Sequence, residues 1–438
     1  MTSSTFGVPF CFPALPLTRR DIMRRVVGGG LVAAFSEVGG MPENRAAAQS
    51  DMATPVATPS LPATLSDATL RDFEADIEAA LQAFRVPGAA VSLVQGDEVV
   101  FNRGFGVRNL ASGQPVTSRT RFRIGSITKS MTVLLLATLV DDGVFDWDDR
   151  VVDLWSVFAA PTPELTQTLR VRDLLGMASG IAESTDLSLA AVEFFMSAGS
   201  VSSGDVLRSI AALPVITPPD TTFSYNNTLY AAAAYLGLLA QGTEAEMLEE
   251  TYAAQVQQRV FEPIGMGDAA ILDDPRPLGD NFAVGYTQDI FRDPSPLPCV
   301  SLAGLAPAGS SLASATDMAR YLITQMHHGI APGGTRVVSS TNLDEMHRPG
   351  ILLEPSALFP SDVQTDTVAL NYGMGWLSET YRDGRQLLWH SGGSMASRPL
   401  WGSSPRSRSA SPSSPTWGAV VGCSTSPSRP VCSVGCSV

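Results

Sequence analysis

Phe122-Arg123-Ile124-Gly125-Ser126-Ile127-Thr128-Lys129-Ser130, with the apolar run from Met131 to Val140 behind it, is the stretch around which this 438-residue chain is organised. It reads as a loop that delivers Ser126 to the start of a buried helix, and Asp141-Asp142-Gly143 ends that helix with glycine as the stop. Ser126 and Lys129 are three residues apart, so a helix puts them on one face and within reach of each other. A serine hydroxyl is a weak nucleophile until its proton is taken, and a neutral lysine amine can take it. Neutrality is demanding, because moving a lysine from ~10.4 to near 7 requires roughly 4–5 kcal/mol of differential environment. Burial in the apolar helix and the positive end of the helix dipole both push in that direction.

Lys129 is the only lysine in the chain; every other one of the 29 basic residues is arginine. Arginine serves on a solvated surface or in an ion pair but does not give up its proton in a protein. Lysine therefore stands where acid–base chemistry would need it. By itself the Ser-x-x-Lys spacing is common, so its neighbours must decide the reading.

Composition bounds the rest. A hydrophobic content of 44% over this length is ample for one large domain or two intimate subdomains. A net charge of −14 argues against nucleic acid or an anionic membrane surface as a partner. The five cysteines, Cys11, Cys299, Cys423, Cys432 and Cys436, do not space out as a disulfide framework.

Residues 1–48 read as an export signal of twin-arginine type. Arg19-Arg20 and Arg24-Arg25 precede a short apolar run, Val26 to Phe35, and Arg45-Ala46-Ala47-Ala48-Gln49 supplies small residues for cleavage. That run is far below the ~20 residues a membrane span needs. The expected location is periplasmic or extracellular. Residues 49–66 form an Ala/Thr/Pro-rich linker. Leu70, Phe73, Ile77 and Leu81 then recur at helical spacing, predicting a helix over 67–85. Residues 89–94 and 99–104 predict a hairpin turning at Gly96-Asp97. Residues 152–265 read as mostly helical. Thr316-Asp317 is expected to cap a helix running to His327-His328-Gly329, whose histidines suit charge–dipole and capping roles better than metal binding.

Tyr225 and Asn227 alternate with Asn226, so in an extended loop both would point the same way. A phenol beside a lysine can relay a proton and an amide can orient it. The ordinary reading is a buried tyrosine followed by a turn asparagine. Farther on, a strand over 385–389 runs into His390-Ser391-Gly392-Gly393, where small residues would let a substrate acyl group approach backbone.

Taken together, these residues resemble the serine β-lactamase-like hydrolases, which include penicillin-binding carboxypeptidases, class C β-lactamases, esterases and D-aminopeptidases. The resemblance covers about residues 67–395. It rests on Pro87-Gly88, Gly125-Ser126-Ile127-Thr128-Lys129, Leu174-Leu175 to Ser179-Gly180, Phe223-Ser224-Tyr225-Asn226-Asn227, Pro263-Ile264-Gly265-Met266, Asp317-Met318-Ala319-Arg320 and His390-Ser391-Gly392. It implies an α+β fold, a five-stranded antiparallel sheet flanked by helices, with a helical subdomain over about 152–265 and the site in the cleft between them. It implies Ser126 as the acylated nucleophile, Lys129 as general base, Tyr225 as proton relay and Asn227 in the same network. The backbone N–H groups of Ser126 and Gly393 would form the oxyanion hole. His390, with Ser391, Gly392 and Gly393, would hold substrate, and His390 would also tune Tyr225. The substrate would be an ester or amide (a β-lactam, a D-alanyl peptide or a short-chain ester), with no metal and no organic cofactor. The alternative is a non-catalytic penicillin- or peptidoglycan-fragment-binding protein, or an inactive remnant. The sequence says nothing of oligomeric state.

Two departures stand inside that resemblance. Met177 takes a place where many relatives have histidine. The third motif is His-Ser-Gly, not Lys-Thr-Gly, which removes a cation suited to a β-lactam carboxylate. A larger departure begins at Met395. Residues 396–438 are rich in Ser, Pro and Arg and contain no Asp or Glu, so they are expected to be disordered, with the sheet's last two strands and closing helix missing. A single-base deletion after the Met395 codon would account for this; the alternative is a genuine but unrelated disordered tail. In the shifted frame Met395-Ala396, Trp401-Gly402 and Trp417-Gly418 each force glycine, and the remaining codons permit an apolar strand–turn–strand. The chain as written is expected to fold poorly and to be inactive.

Overall fold

Residues Thr128–Asp141 form the central helix, α2, with every residue from Thr128 to Leu139 buried. Its sequence is apolar around the whole circumference, which suits a helix enclosed on all sides. In the computed structural model the described residues are 65–183, 201–286, 293–297, 299, 301–354 and 367–393, with the strand backbones 420–425 and 431–437. The expected export signal and nearly all of the expected linker lie outside them.

A nine-stranded antiparallel sheet stands beside α2. In chain order its strands are β1 (Gly88–Gln95), β2 (Glu98–Asn109), β3 (Gln114–Pro115), β4 (Ile351–Leu352), β5 (Thr367–Tyr372), β6 (Leu377–Tyr381), β7 (Gln386–Ser391), β8 (Val420–Thr425) and β9 (Val431–Ser437). The spatial order is β3-β2-β1-β9-β8-β7-β6-β5-β4. The five strands implied by the resemblance are thus exceeded by four, two of them the two-residue edge strands β3 and β4. β1 is buried along its whole length because both faces are covered. Ala90 and Val94 face the main core, whereas Val91 and Leu93 face a second cluster with Phe101 and Phe105 of β2.

That second cluster is covered by α1 (Asp67–Phe84), through Leu70, Phe73, Ile77 and Leu81 at the expected spacing. Phe73 meets Phe101 edge-on at 5.6 Å. No residue of α1 is fully buried. On the opposite face α4 (Ala315–Met326) packs against β1, and Ser92 reaches across to donate to the Ala315 carbonyl at 2.9 Å. The cap of α4 is Ser314, in a reciprocal box with Asp317, not Thr316-Asp317 as expected. Thr316 instead donates its hydroxyl to the Ser118 carbonyl.

The described residues of 152–265 hold helices and turns and none of the named strands. The longest is α3 (Asn227–Ala240), buried from Leu229 to Leu238. A short helix, α5 (Ser340–His347), packs on α2 from the other side.

The end of the chain corrects the sequence reading. β9 pairs with β1 from Ala89–Ser437 to Gln95–Val431, and β8 pairs with β7 from Gln386–Thr425 to Ser391–Val420. The chain as written therefore fills the sheet where strands were expected to be missing. Averaged over the tail, proline is dense, but 420–425 and 431–437 contain none. Two open strand edges supply backbone partners that poor intrinsic propensity does not prevent. No helix follows β9 among the described residues.

Candidate active site

Ser126 sits in the middle of a single tight turn, Gly125–Ile127, that leads into α2. A small three-stranded sheet, Phe122–Arg123, Ser311–Ala313 and Ala270–Ile271, holds this turn from one side. The Ile124 N–H donates to the Ser311 carbonyl at 3.0 Å. The Thr128 hydroxyl donates to the Gly125 carbonyl at 2.6 Å and accepts from the Ser311 N–H at 3.0 Å.

The chain leaving β7 holds the turn from the other side. A methyl group added at Gly392 would lie 1.8 Å from the Ile124 carbonyl oxygen and 2.9 Å from the Ser126 nitrogen. Gly125 has φ 51°, and a methyl there would lie 2.4 Å from the Gly393 carbonyl oxygen. Backbone passes against backbone, and only glycine allows that approach. The Ser126 and Gly393 peptide units, expected to form the oxyanion hole, are thereby neighbours.

Lys129 follows one turn later with 0% of its surface exposed. Its Nζ lies 3.3 Å from Ser126 Oγ, 2.7 Å from Asn227 Oδ1 and 2.9 Å from the Ala308 carbonyl oxygen. Burial pushes the amine down to about 7, and the Glu183 carboxylate opposes part of that shift. A neutral amine has two N–H bonds and one lone pair. The Asn227 and Ala308 oxygens are acceptors and take the two N–H donors, which leaves the lone pair for the Ser126 hydroxyl.

Tyr225 approaches from the loop before α3. Lys129 Nζ lies 4.7 Å from the centre of its ring, and its hydroxyl is hydrogen-bonded to Ser126. Burial raises this phenol well above its ordinary range, with the Ser126 bond acting weakly the other way. It is therefore a protonated phenol at neutral pH. Asn227 is not in an extended loop as expected. It is the first residue of α3, and Asn226 is the cap, accepting from the Leu229 N–H at 2.9 Å. The Tyr225 and Asn227 side chains nevertheless both reach Lys129. Met177, with φ 56°, steadies the loop: its carbonyl accepts from the Ser224 N–H at 2.8 Å, and its Sδ from the Asn226 N–H at 3.2 Å.

His390 is buried at 3% exposure. Its Nδ1 is 2.5 Å from the Ser391 carbonyl, which can only accept, so Nδ1 carries the proton. Nε2 then accepts from the Tyr372 hydroxyl at 3.2 Å. Burial, with the nearby Lys129 charge second, pushes the imidazole down to about 3. Tyr225, which His390 was expected to tune, is not its hydrogen-bond partner among the described contacts. Tyr372 is its partner, and Phe223 packs on both tyrosines, its ring 5.5 Å from that of Tyr372 and 6.4 Å from that of Tyr225. Ser391 enters through its carbonyl among the described contacts.

Three residues of the site escaped the sequence reading. Glu183 accepts from Asn227 Nδ2 at 3.0 Å and from both the N–H and the hydroxyl of Thr228 at 3.0 Å. Tyr230 donates to the Lys129 carbonyl at 3.1 Å. Tyr372, the last residue of β5, meets His390 Nε2 through its hydroxyl. Glu183 is 44 residues from Asn227 in the chain, and no local pattern joins them. Among the described residues no group of three or more His, Cys, Asp or Glu side chains converges to hold a metal ion, and no helix is long and apolar enough to cross a membrane.

The solved structure of the octameric penicillin-binding protein homologue from Pyrococcus abyssi superposes with a TM-score of 0.63 at 22% identity, over 84% of this chain and 73% of that one. That likeness shows the fold. An unguisins hydrolase of Aspergillus violaceofuscus is 27% identical over 340 residues, 74% of this chain and 57% of that protein. Penicillin-binding protein 4 of Amycolatopsis lactamdurans is 29% identical over 260 residues, 59% of this chain and 64% of that protein. A D-aminopeptidase of Cereibacter sphaeroides is 29% identical over 211 residues, 46% of this chain and 36% of that protein. The chain thus spans less than two thirds of the length of the unguisins hydrolase, of penicillin-binding protein 4 and of the D-aminopeptidase. The sequence profile of the Beta-lactamase family matches residues 73–407, which is most of the folded chain and includes Ser126, Lys129, Tyr225 and His390. On that match, and with the sheet and helices arranged as in a penicillin-binding protein homologue, the chain belongs to the Beta-lactamase family.

Proposed function

We propose that this protein is an exported serine hydrolase that cleaves an ester or amide through an acyl-enzyme. The observation that carries the reading is the hydrogen-bond geometry of Lys129. Two carbonyl oxygens occupy its N–H donors and turn its lone pair to Ser126. In acylation the Ser126 proton passes to Lys129 Nζ while Oγ bonds to the substrate carbonyl carbon. The oxyanion that forms is held by the Ser126 and Gly393 N–H groups. Collapse breaks the bond to the leaving group, which takes a proton from the Tyr225 hydroxyl as Lys129 resupplies the phenol. Water then attacks the ester on Ser126 with the same groups acting in reverse. Tyr225 is a relay and not the base, since burial keeps it protonated. The twin-arginine route and a frame shift after the Met395 codon belong to the same proposal; resequencing that codon tests the latter.

The direct test is a fluorophosphonate ester followed by peptide mapping. One adduct on Ser126 is expected. An unmodified Ser126, or an adduct elsewhere, would remove it from the mechanism.

The pH dependence follows from Lys129, which acts only when neutral. The value of kcat/KM should rise tenfold per unit below about 7 and level off above it. His390, at about 3, stays neutral throughout and adds no second limb in that range. A profile flat from pH 5 to 9 would contradict the role of Lys129.

A further inference from the structure

We infer that Glu183 is a positioning residue, which fixes the orientation of the Asn227 amide so that its oxygen faces Lys129 and the lysine lone pair is left to Ser126. This rests on the reading of Lys129 as the base. Asn227 is the first residue of α3, and its amide lies between two groups of opposite demand. On one side is Glu183 Oε2, an acceptor, 3.0 Å from Nδ2. On the other is Lys129 Nζ, a donor, 2.7 Å from Oδ1. An asparagine amide has two nearly isosteric ends, and only its neighbours choose which way it turns. The carboxylate makes that choice, because it accepts and never donates when ionised.

Glu183 is itself held. Its other oxygen, Oε1, accepts from the Thr228 backbone N–H and hydroxyl, each at 3.0 Å. Those donors belong to the first turn of α3, where N–H groups have no helical partner and favour a negative charge. The carboxylate is thus fastened to one helix and selects the amide that the other helix's lysine meets.

Glu183 also acts through charge. The groups facing Lys129 are Ser126 from its own turn, Tyr225 and Asn227 from the segment entering α3, Tyr230 from α3, and His390 from β7. The phenols are protonated and the imidazole neutral near pH 7. Glu183 is the one charged group among the described residues that raises the Lys129 amine.

Glu183→Gln keeps the shape and removes both effects. The introduced amide satisfies Thr228 through its oxygen and then presents N–H to Asn227, whose amide must flip and turn N–H toward Lys129. Above the pH limb, kcat should fall at least tenfold with KM little changed. The limb should move to lower pH by about half a unit, because a carboxylate has left the lysine's surroundings. The double variant Glu183→Gln with Asn227→Asp restores an acceptor for both neighbours and conserves the charge. It should recover most of the lost kcat, with the limb moved above its wild-type position. A structural role for Glu183 would lower stability and leave the limb in place.

Wild-type kcat and an unmoved limb in Glu183→Gln would overturn the inference. Should that variant not fold, the double variant decides alone: a raised limb supports the inference and an unmoved one overturns it. Failure of the underlying reading is separable, since Ser126 of the wild-type protein would then not be labelled by fluorophosphonate.

Discussion

Lys129→Met is expected to lower kcat/KM by about 10²- to 10⁴-fold, the usual worth of a positioned proton acceptor, while the protein keeps a cooperative melt. Methionine matches the length of the aliphatic stem and cannot take a proton. Lys129→Arg should be equally inactive, since guanidinium stays charged and offers no lone pair to Ser126. Retained turnover in the arginine variant would show that no deprotonation occurs at this position. A second readout follows from burial. The amine titrates near 7 in the folded protein and near ~10.4 when unfolded. Between those values the unfolded chain holds more protons, so wild-type stability should rise with pH by up to ~1.4 kcal/mol per unit and level off above ~10.4. Below about 7 the full penalty, roughly 4–5 kcal/mol, is in force. Lys129→Met removes this dependence, so the slope of stability against pH between 7 and 10 should flatten. An unchanged slope would place the perturbed group elsewhere.

The same lysine shows what the sequence makes legible. Ser126 and Lys129 are read from a spacing of three, and the helix behind them from an unbroken apolar run, because both signals are local. The α1 face at Leu70, Phe73, Ile77 and Leu81 is legible for the same reason and packs as its period requires. Tyr225 and Asn227 are found in sequence, but the reason they meet Lys129 is not. Asn226 starts a helix at Asn227, so the side chains converge by the geometry of a helix entry and not by strand alternation. Glu183 and Tyr372 belong to the site through contacts that span 44 and 18 residues of chain, and nothing near either residue marks it. The tail is the clearest failure. Its average composition reads as disorder, whereas strand pairing depends on two short proline-free windows and on open edges elsewhere in the sheet.

Truncation after Met395 should abolish the fold, and turnover with it. β1 would lose its partner from Ala89 to Gln95, and β7 would lose its own from Gln386 to Ser391. These two strands do not contact each other in the sheet order, so the sheet is cut in its middle and not trimmed at an edge. β1 is buried on both faces, which gives water little access to its freed N–H and C=O groups. Each buried group left unpaired costs about 1–3 kcal/mol, and several such groups together exceed the ~5–15 kcal/mol by which domains are stable. The site falls with the sheet, because β7 carries His390 and leads to the glycines packed on the Ser126 turn. A chain lacking residues 1–48 is the matched control and should melt as the full chain does. A cooperative melt from the chain ending at Met395 would show that β8 and β9 are dispensable. Insertion of one G after the Met395 codon tests the proposed frame on the same footing. It replaces Ser-, Gly- and Cys-rich strands with an apolar pair better suited to a sheet centre, so the melting temperature should rise. A repaired chain that melts no higher than the literal one would end the frame proposal and leave 420–425 and 431–437 as the genuine centre of the sheet.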